Sequence, residues 1–162
     1  MFSDEQLGAA GDVLDACRRL GLMLATAESC TGGLIAGCLT AVAGSSDVFE
    51  RGFVTYTNEA KSELLGVAPD LFAGPGAVSE EVARAMAEGA LANSNAGITV
   101  AVTGIAGPGG GTAEKPVGLV HFACARKGAE TLSEHHQFDG DRDSVRAQSV
   151  DAALAMVKRL VG

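Results

Sequence analysis

Aromatic residues are scarce in this sequence of 162 residues, which has no tryptophan, one tyrosine and six phenylalanines. Hydrophobic residues nevertheless make up 47% of the chain, so its core must be aliphatic. The 22 glycines are expected mainly in turns and where two stretches of backbone approach closely. The length suits one domain with a well-developed core, and we expect residues 1–162 to form a single domain.

Positive charge is also limited. The chain has 12 Lys and Arg residues against 20 Asp and Glu residues, which gives a formal net charge of −8 at pH 7. A surface without a basic cluster repels the phosphates of nucleic acids, so the sequence predicts no nucleic-acid partner. A local cationic pocket for a small anion remains compatible with this balance.

Long apolar runs are absent. None reaches the ~18 residues that a membrane-spanning helix needs, and the N-terminus lacks a basic segment followed by a continuous apolar stretch. We therefore expect no membrane partner and no signal peptide. The four cysteines form no C-x-x-C pair and are too few for a disulfide framework. Together these features predict a reduced protein of the cytoplasm.

The three histidines do not predict a metal site. His121, His135 and His136 show no H-E-x-x-H spacing, and the last two are neighbours whose side chains would point to opposite faces of a strand. We expect no metal ligands in this chain.

Hydrophobic periodicity divides the chain into alternating helices and strands. Helices are predicted at about Asp4–Leu20, Thr31–Val42, Thr57–Leu65, Ser79–Ala92 and Asp141–Leu160. Strands are predicted at Leu22–Ala27, Phe49–Tyr56, Gly97–Thr103, Val117–Arg126 and Glu130–Phe138. Residues 67–78 are expected to be irregular, and Lys127 with Gly128 should turn between two antiparallel strands. The pattern predicts an α/β protein with three layers, α/β/α, over a mixed, mostly parallel five-stranded sheet.

The stretch Met23–Ala36, MLATAESCTGGLIA, has the pattern of a strand, a tight turn and a helix start. Strand ends and helix starts in an open α/β sheet form a crevice, and the first N–H groups of a helix attract negative charge. Ser29 in such a turn would lie beside donors for an oxyanion or a phosphate. Alternatively, Ser29 or Thr31 only caps the helix. Cys30 is a rival nucleophile, but next to Ser29 it should face another direction as a buried small hydrophobe.

Lys61 and Tyr56 are further candidates for chemistry. If Asn58 caps the following helix, Lys61 is its third residue, where a cation opposes the helix dipole and partial burial would lower the lysine pKa towards that of a base. The alternative is a solvated lysine. Tyr56 is the only tyrosine, and its spacing to Lys61 is not the Y-x-x-x-K of short-chain dehydrogenases. It is either part of the site or a core aromatic residue with its hydroxyl at the rim.

The glycine-rich loop Thr103–Thr112 follows an apolar strand, and its N–H groups can converge on a ligand such as a phosphate. It lacks the P-loop pattern and does not lead promptly into a helix, so a long turn is the alternative. Arg142 and Arg146 share one face at the start of the last helix. They could clamp a carboxylate or a phosphate, although solvated arginines are commoner.

Five motifs in order resemble the CinA C-terminal domain family, whose members include PncC-type nicotinamide-nucleotide amidohydrolases. They are AESCTGG, GFVTYTNEAK, AVSEEVA, VTGIAGPGGGT with KPVG, and FDGDRDSVR. The resemblance covers about Asp4–Leu160 and implies the α/β/α fold. It also implies hydrolysis of the carboxamide of nicotinamide mononucleotide to nicotinic acid mononucleotide and ammonia, with no metal or other cofactor. Many members carry an additional N-terminal domain similar to molybdopterin-binding proteins, and this chain is expected to be the stand-alone form.

The resemblance also implies roles for particular residues. Ser29 would be the nucleophile, Lys61 the base, and Tyr56 an auxiliary that orients Lys61 or shuttles a proton. Arg142 would bind the substrate phosphate. The implied substrate-binding residues are Cys30, Thr31, Gly32, Gly33, Thr103, Gly104, Gly107 and Arg142. The alternative function is a non-catalytic nucleotide-binding or regulatory module linked to competence or DNA damage. Aliphatic-rich α/β domains often form dimers, so we expect a homodimer.

Overall fold

The computed structural model describes the whole chain, Met1–Gly162, as six α-helices and five β-strands. The helices are α1 (Asp4–Leu20), α2 (Leu34–Thr40), α3 (Asn58–Leu65), α4 (Asp70–Ala73), α5 (Glu80–Ala92) and α6 (Arg142–Val161). The strands are β1 (Leu24–Glu28), β2 (Phe49–Val54), β3 (Ile98–Gly104), β4 (Leu119–Arg126) and β5 (Leu132–Gln137).

The five strands form one sheet in the order β2-β1-β3-β4-β5. Strand β1 pairs in parallel with β2 and β3, whereas β4 pairs antiparallel with β3 and β5. Strand β4 alone therefore runs against the other four. The predicted mixed, mostly parallel five-stranded sheet is confirmed.

A hydrophobic core lies on each face of the sheet. The first lies between the sheet and α1, α2 and α6, and the second lies between the sheet and α3 and α5. Side chains alternate between them along β3, where Val100 and Val102 face the first core and Ala101 faces the second. Phe122 is the only aromatic residue among the buried hydrophobic ones. The three layers and the aliphatic core are as predicted.

Helix α2 begins later than predicted, at Leu34 rather than Thr31. Gly32 and Gly33 have φ angles of 58° and 101°, which a right-handed helix does not allow. They form a turn between β1 and α2 instead. The sequence could not separate this turn from the helix, because Thr31 and the two glycines directly precede the apolar pattern that begins at Leu34.

Two other predictions need correction. Strand β1 begins at Leu24 rather than Leu22, because the Leu22 N–H still bonds to the Cys17 carbonyl at the end of α1. The stretch 67–78, expected to be irregular, contains the short helix Asp70–Ala73. The remaining helices and strands lie where predicted, with ends that differ by one or two residues.

The loops that carry the predicted site residues all emerge at one end of the strands. Strands β1, β2, β3 and β5 run in the same direction, so the loops that follow them lie together at their carboxyl ends. They carry Ser29 after β1, Tyr56 after β2, the glycine-rich loop after β3 and Arg142 after β5. No helix combines the length and apolarity needed to cross a membrane.

Candidate active site

Ser29 directly follows β1, and its N–H continues the pairing with β3 by bonding to the Val102 carbonyl at 3.0 Å. The Gly32 N–H then bonds to the Ser29 carbonyl at 3.0 Å and closes a tight turn. Because successive side chains alternate in an extended chain, Glu28 points towards α2 whereas Ser29 points towards α3. Ser29 is only 8% exposed, so its hydroxyl lies in a narrow opening.

Helix α3 carries Lys61 into this opening. The N-cap of the helix is Thr57, whose hydroxyl accepts the Ala60 N–H at 3.1 Å, so the predicted Asn58 cap is wrong. Asn58 is instead the first helical residue, and Lys61 is the fourth. The alternative of a solvated lysine is also wrong, because Lys61 is only 1% exposed.

Three oxygen atoms surround the amine of Lys61. Its Nζ lies 3.0 Å from Ser29 Oγ, 2.9 Å from the Thr55 carbonyl and 3.3 Å from the Tyr56 carbonyl. None of these partners is charged, and burial lowers the pKa of Lys61 below its usual value. A neutral amine has two N–H groups, which suit the two carbonyls, and one lone pair, which is left for the Ser29 hydroxyl. This geometry suits a general base beside a nucleophile.

The Tyr56 hydroxyl turns away from Lys61 and accepts a hydrogen bond from Arg142 Nη2 at 2.9 Å. Arg142 Nη1 donates to the Gly107 carbonyl at 2.8 Å. Because β1 lies between β2 and β3, this bridge joins the loops on either side of Ser29. Tyr56 is 56% exposed, so the alternative of a core aromatic residue is wrong.

Backbone N–H groups remain free in the turn after Ser29. Those of Cys30, Thr31 and Gly33 have no hydrogen-bond acceptor in the protein. Arg146 holds the carbonyl side of the same turn, with Nε 3.2 Å from the Cys30 carbonyl and Nη2 3.3 Å from the Thr31 carbonyl. The turn is thus fixed through its acceptors while donors stay available for a ligand.

The Cys30 side chain belongs to the first core, on the other side of the sheet from Lys61. Burial raises the pKa of its thiol to about 11. The prediction that Cys30 faces away as a buried small hydrophobe is confirmed. A thiol in this state is a poor nucleophile.

Thr103 is buried, and its hydroxyl donates to the Ala77 carbonyl at 2.8 Å just before α5. Gly104 ends β3, where a Cβ atom would lie 2.7 Å from Val120 Cγ2, so no larger residue fits. Gly107 has a φ of 84° and presents its carbonyl to Arg142. Thr103 and Gly104 therefore lie at the end of β3, the strand beside β1, and Gly107 contacts Arg142.

Lys115, which sequence reasoning missed, connects the glycine-rich loop to the segment before α5. Its Nζ donates to the carbonyls of Pro75 and Val78 at 2.5 and 2.8 Å, and its N–H donates to Thr112 Oγ1 at 3.0 Å. The glycine-rich loop is therefore fixed to the segment before α5. The signal available in the sequence was a lysine inside a loop otherwise made of small residues and proline.

Glu28 is a further residue near Ser29 that sequence reasoning missed. Its Oε1 accepts the Thr31 hydroxyl at 2.7 Å and the Ile35 N–H at 2.9 Å, and its Oε2 accepts the Ala36 N–H at 3.0 Å. Glu28 thus caps α2, and the alternative that Ser29 or Thr31 is the cap is wrong. An acidic residue at the end of an apolar strand was the signal in the sequence, because a carboxylate buried there needs several donors.

The histidine rings pack against each other and against Phe138. The rings of His121 and His135 tilt against each other at 5.3 Å, whereas His136 stacks on Phe138 at 5.2 Å on the other face. The predicted opposite orientation of His135 and His136 is confirmed. The structure places no group of three or more His, Cys, Asp or Glu side chains suitably for a metal ion.

These features define a three-layer α/β/α protein with a buried serine–lysine pair at the carboxyl end of a central strand. Comparison with known families then identifies the group. The family model for the CinA C-terminal domain matches residues 7–161, and the chain belongs to this family.

Curated relatives are of two kinds. A putative competence-damage inducible protein of Symbiobacterium thermophilum is 58% identical over 147 residues, which cover 86% of this chain but 34% of that protein. The chain thus spans about a third of the length of such relatives. The nicotinamide-nucleotide amidohydrolase PncC of Escherichia coli is 48% identical over 154 residues, which cover 95% of this chain and 93% of that protein.

Solved structures agree with the fold. The crystal structure of the competence/damage inducible protein CihA from Agrobacterium tumefaciens superimposes with a TM-score of 0.96 at 50% identity. The superposition covers 99% of this chain and 98% of that one.

Proposed function

We propose that this chain is an amidohydrolase that converts nicotinamide mononucleotide into nicotinic acid mononucleotide and ammonia. The observation that carries the proposal is the contact of 3.0 Å between Ser29 Oγ and Lys61 Nζ, in which the lysine is buried among uncharged oxygens. Similarity to PncC over nearly the full length of both proteins supports the substrate. An amide needs a strong nucleophile and a proton donor for its leaving group, and a serine with a neutral lysine supplies both.

In the proposed first step, Ser29 Oγ attacks the carboxamide carbon while Lys61 Nζ takes the hydroxyl proton. The carbonyl oxygen becomes an oxyanion, for which the free N–H groups of the turn after Ser29 are the nearest donors. As the oxyanion collapses, the protonated Lys61 donates its proton to the amide nitrogen. The carbon–nitrogen bond breaks, and the nitrogen departs as ammonia.

In the second step, water attacks the ester formed on Ser29, and Lys61 accepts the proton of that water. Collapse of the second oxyanion breaks the bond to Ser29 Oγ, which regains its proton from Lys61. The products are the nicotinate carboxyl group and the free enzyme. Every proton movement uses one amine, so the scheme requires neither a histidine nor a metal.

Arg142 is the residue we propose for the substrate phosphate. It is exposed at the mouth of the site, and its guanidinium has donors beyond the two that contact Tyr56 and Gly107. A planar cation in this position suits a phosphate. The proposed auxiliary role of Tyr56 has two supports, namely its carbonyl on Lys61 and its hydroxyl on Arg142.

We further propose that residues 1–162 act as one CinA C-terminal-like domain, as a homodimer in the cytoplasm. One sheet contains all five strands, which supports a single domain. The edge strand β2 is followed by Tyr56 and ends in Val54, both at least half exposed, which supports a partner surface there. All four cysteines are free, which fits a reducing compartment.

The decisive experiment measures ammonia release from nicotinamide mononucleotide by the purified wild type, Ser29→Ala and Lys61→Ala. Lys127→Ala serves as the matched control, because Lys127 is exposed in the turn between β4 and β5. We expect wild type and control to release ammonia, and both site variants to lose the reaction by at least about a thousandfold.

Other outcomes would contradict the proposal. If the wild type bound the nucleotide without turnover in calorimetry, the alternative of a non-catalytic nucleotide-binding module would replace it. Activity that survived in Ser29→Ala would place the nucleophile elsewhere.

A further inference from the structure

Glu28 is the only acidic residue that is fully buried, and it accepts three hydrogen bonds there. The carboxylates that form salt bridges here pair with arginine, lysine or histidine, whereas Glu28 has three uncharged donors. They are the Thr31 hydroxyl and the N–H groups of Ile35 and Ala36, the second and third residues of α2. Three hydrogen bonds to one buried carboxylate make a rigid connection.

This connection fixes both ends of the nucleophile turn, residues 29–33. The Glu28 backbone is held in the middle of the sheet, opposite Val54 on one side and Val102 on the other. Its side chain is held by the first turn of α2. Glu28 therefore sets the distance between the end of β1 and the start of α2. The turn of residues 29–33 has to span this fixed distance, which limits its conformation.

The same contacts decide which donors remain in the turn. Two N–H groups of α2 are occupied by Glu28, and that of Leu34 bonds to the Thr31 carbonyl. The helix start thus has no free donor for the phosphate or the oxyanion of a substrate. The free backbone donors are those of the turn itself, namely the N–H groups of Cys30, Thr31 and Gly33.

We propose that Glu28 is a positioning residue for the hydrolysis of the amide. Acting through Thr31 and the first turn of α2, its carboxylate holds Ser29 against Lys61 and leaves the turn N–H groups as the oxyanion donors. The inference rests on the proposed function, because it assigns Glu28 a task in that reaction. It requires Glu28 to change the rate of attack by Ser29 without touching the substrate.

The first test compares wild type with Glu28→Gln, which keeps the shape of the side chain but replaces one acceptor oxygen by an NH₂ donor facing the donors of α2. Glu50→Gln is the matched control, since it removes a largely buried carboxylate at the start of β2, far from Ser29. We expect kcat for nicotinamide mononucleotide to fall by about a hundredfold in Glu28→Gln and KM to change little. Glu50→Gln should keep the wild-type kcat.

A second readout does not depend on the nucleotide. A serine-directed sulfonyl fluoride labels an activated serine, and intact mass spectrometry gives both the rate of labelling and the fraction of molecules labelled. Glu28→Gln should slow the labelling of Ser29 by at least about tenfold while the labelled fraction still approaches one. If Glu28 only stabilises the fold, Glu28→Gln should lower the labelled fraction and leave kcat per labelled site unchanged. That result would overturn the proposal.

Thr31→Val gives a second route if Glu28→Gln fails to fold, because it removes one of the three donors and keeps the carboxylate. We expect Thr31→Val to lower kcat in the same direction, and a wild-type kcat in this variant would overturn the proposal. Where both variants fold, their double mutant should lose less than the product of the two single effects.

The two proposals fail in different ways. If wild type is labelled at Ser29 but releases no ammonia from nicotinamide mononucleotide, the substrate is wrong and the labelling rates still decide the role of Glu28. If wild type is active and Glu28→Gln equals it, only the inference about Glu28 falls. If wild type is neither labelled nor active, Ser29 is no nucleophile, and the role of Glu28 falls with it.

Discussion

Lys61 is one of the largest fully buried side chains, and it is the one whose protonation matters most. Burial lowers its pKa in the folded protein below the usual value of 10.5. Between the folded and the unfolded pKa, the unfolded chain binds a proton that the folded chain does not. The free energy of unfolding therefore rises as the pH increases through this window, and this contribution is lost as the pH falls through the folded pKa.

The corresponding prediction compares wild type with Lys61→Met in urea unfolding between neutral pH and about pH 10. The stability of wild type relative to Lys61→Met should increase with pH, by about 1.4 kcal/mol for each unit by which the pKa of Lys61 is lowered. Lys127→Met should show no such trend, because Lys127 is exposed. A difference between wild type and Lys61→Met that stays constant with pH would mean that Lys61 keeps its ordinary pKa.

The activity should depend on pH through the same residue. If neutral Lys61 is the base, kcat/KM for nicotinamide mononucleotide rises with pH and levels off above the lowered pKa of Lys61. Lys61→Arg should be inactive at every pH, because a guanidinium keeps its proton. Initial rates over a pH series would check this, and an active Lys61→Arg would contradict it.

Cysteine chemistry should have no part in the reaction. All four cysteines are buried, and burial raises the pKa of Cys30 to about 11 and that of Cys124 to about 12. We expect iodoacetamide at neutral pH to leave both the mass and the ammonia release of the native protein unchanged, because thiolates react and buried thiols do not. Urea-unfolded protein is the positive control. Inactivation of the native protein with one added group would instead point to Cys30.

At the scale of elements, the position of Lys61 depends on how closely α3 and α5 approach. Gly89 in α5 lies against the last residue of α3, and a Cβ atom at Gly89 would lie 1.9 Å from the Leu65 carbonyl oxygen. That oxygen is backbone, so it can move only if α3 moves as a whole. The Gly89 backbone is therefore part of what holds Lys61 next to Ser29.

We expect Gly89→Ala to lower the free energy of unfolding by about 1–3 kcal/mol and to reduce kcat, because α3 must shift. Gly8→Ala is the matched control, since Gly8 lies in α1 with no atom within 4 Å of its Cβ position. That control should stabilise the protein by about 0.5–1 kcal/mol. Urea unfolding and ammonia release measure both effects, and a Gly89→Ala variant as stable and active as wild type would contradict the close approach.

At the scale of the whole molecule, the proposed homodimer has one candidate surface. Val54 at the end of edge strand β2 is 50% exposed, beside Tyr56. An edge strand with exposed apolar side chains favours pairing with another chain. The other edge strand, β5, also exposes an apolar residue, Leu132 at 47%, but the rest of that strand is polar (SEHHQ), whereas β2 also contains Phe49 and Phe53. We therefore take β2 as the candidate surface.

Light scattering after size exclusion should give twice the 16.3 kDa mass of one chain. Val54→Lys should shift the mass towards that of one chain, because a lysine in a buried partner surface is costly. Leu20→Lys is the matched control, since Leu20 is exposed just before the start of β1, whereas Val54 lies opposite the end of that strand. A wild type that elutes as a single chain at micromolar concentration would contradict the homodimer.

Much of the fold could be predicted from the sequence, because local physics decides it. Hydrophobic periodicity predicts α1 at Asp4–Leu20, and the structure begins and ends this helix there, with a capping box formed by Ser3 and Gln6. The short apolar runs specify the strands, and their order with the helices specifies three layers. The start of α2 could not be predicted, because the two glycines before its apolar pattern can lie in a helix or form a turn.

Some features of the candidate site could likewise be predicted from the sequence, and others could not. The sequence by itself placed Ser29 at a strand end and Lys61 near a helix start, and it drew attention to Tyr56 and Arg142. Only the tertiary structure decided that Lys61 is buried 3.0 Å from Ser29, that the Tyr56 hydroxyl bonds to Arg142, and that Glu28 caps α2. The physical reason is that periodicity reports which face of an element is apolar, whereas contacts between residues distant in the chain depend on strand order and on the close approach of helices.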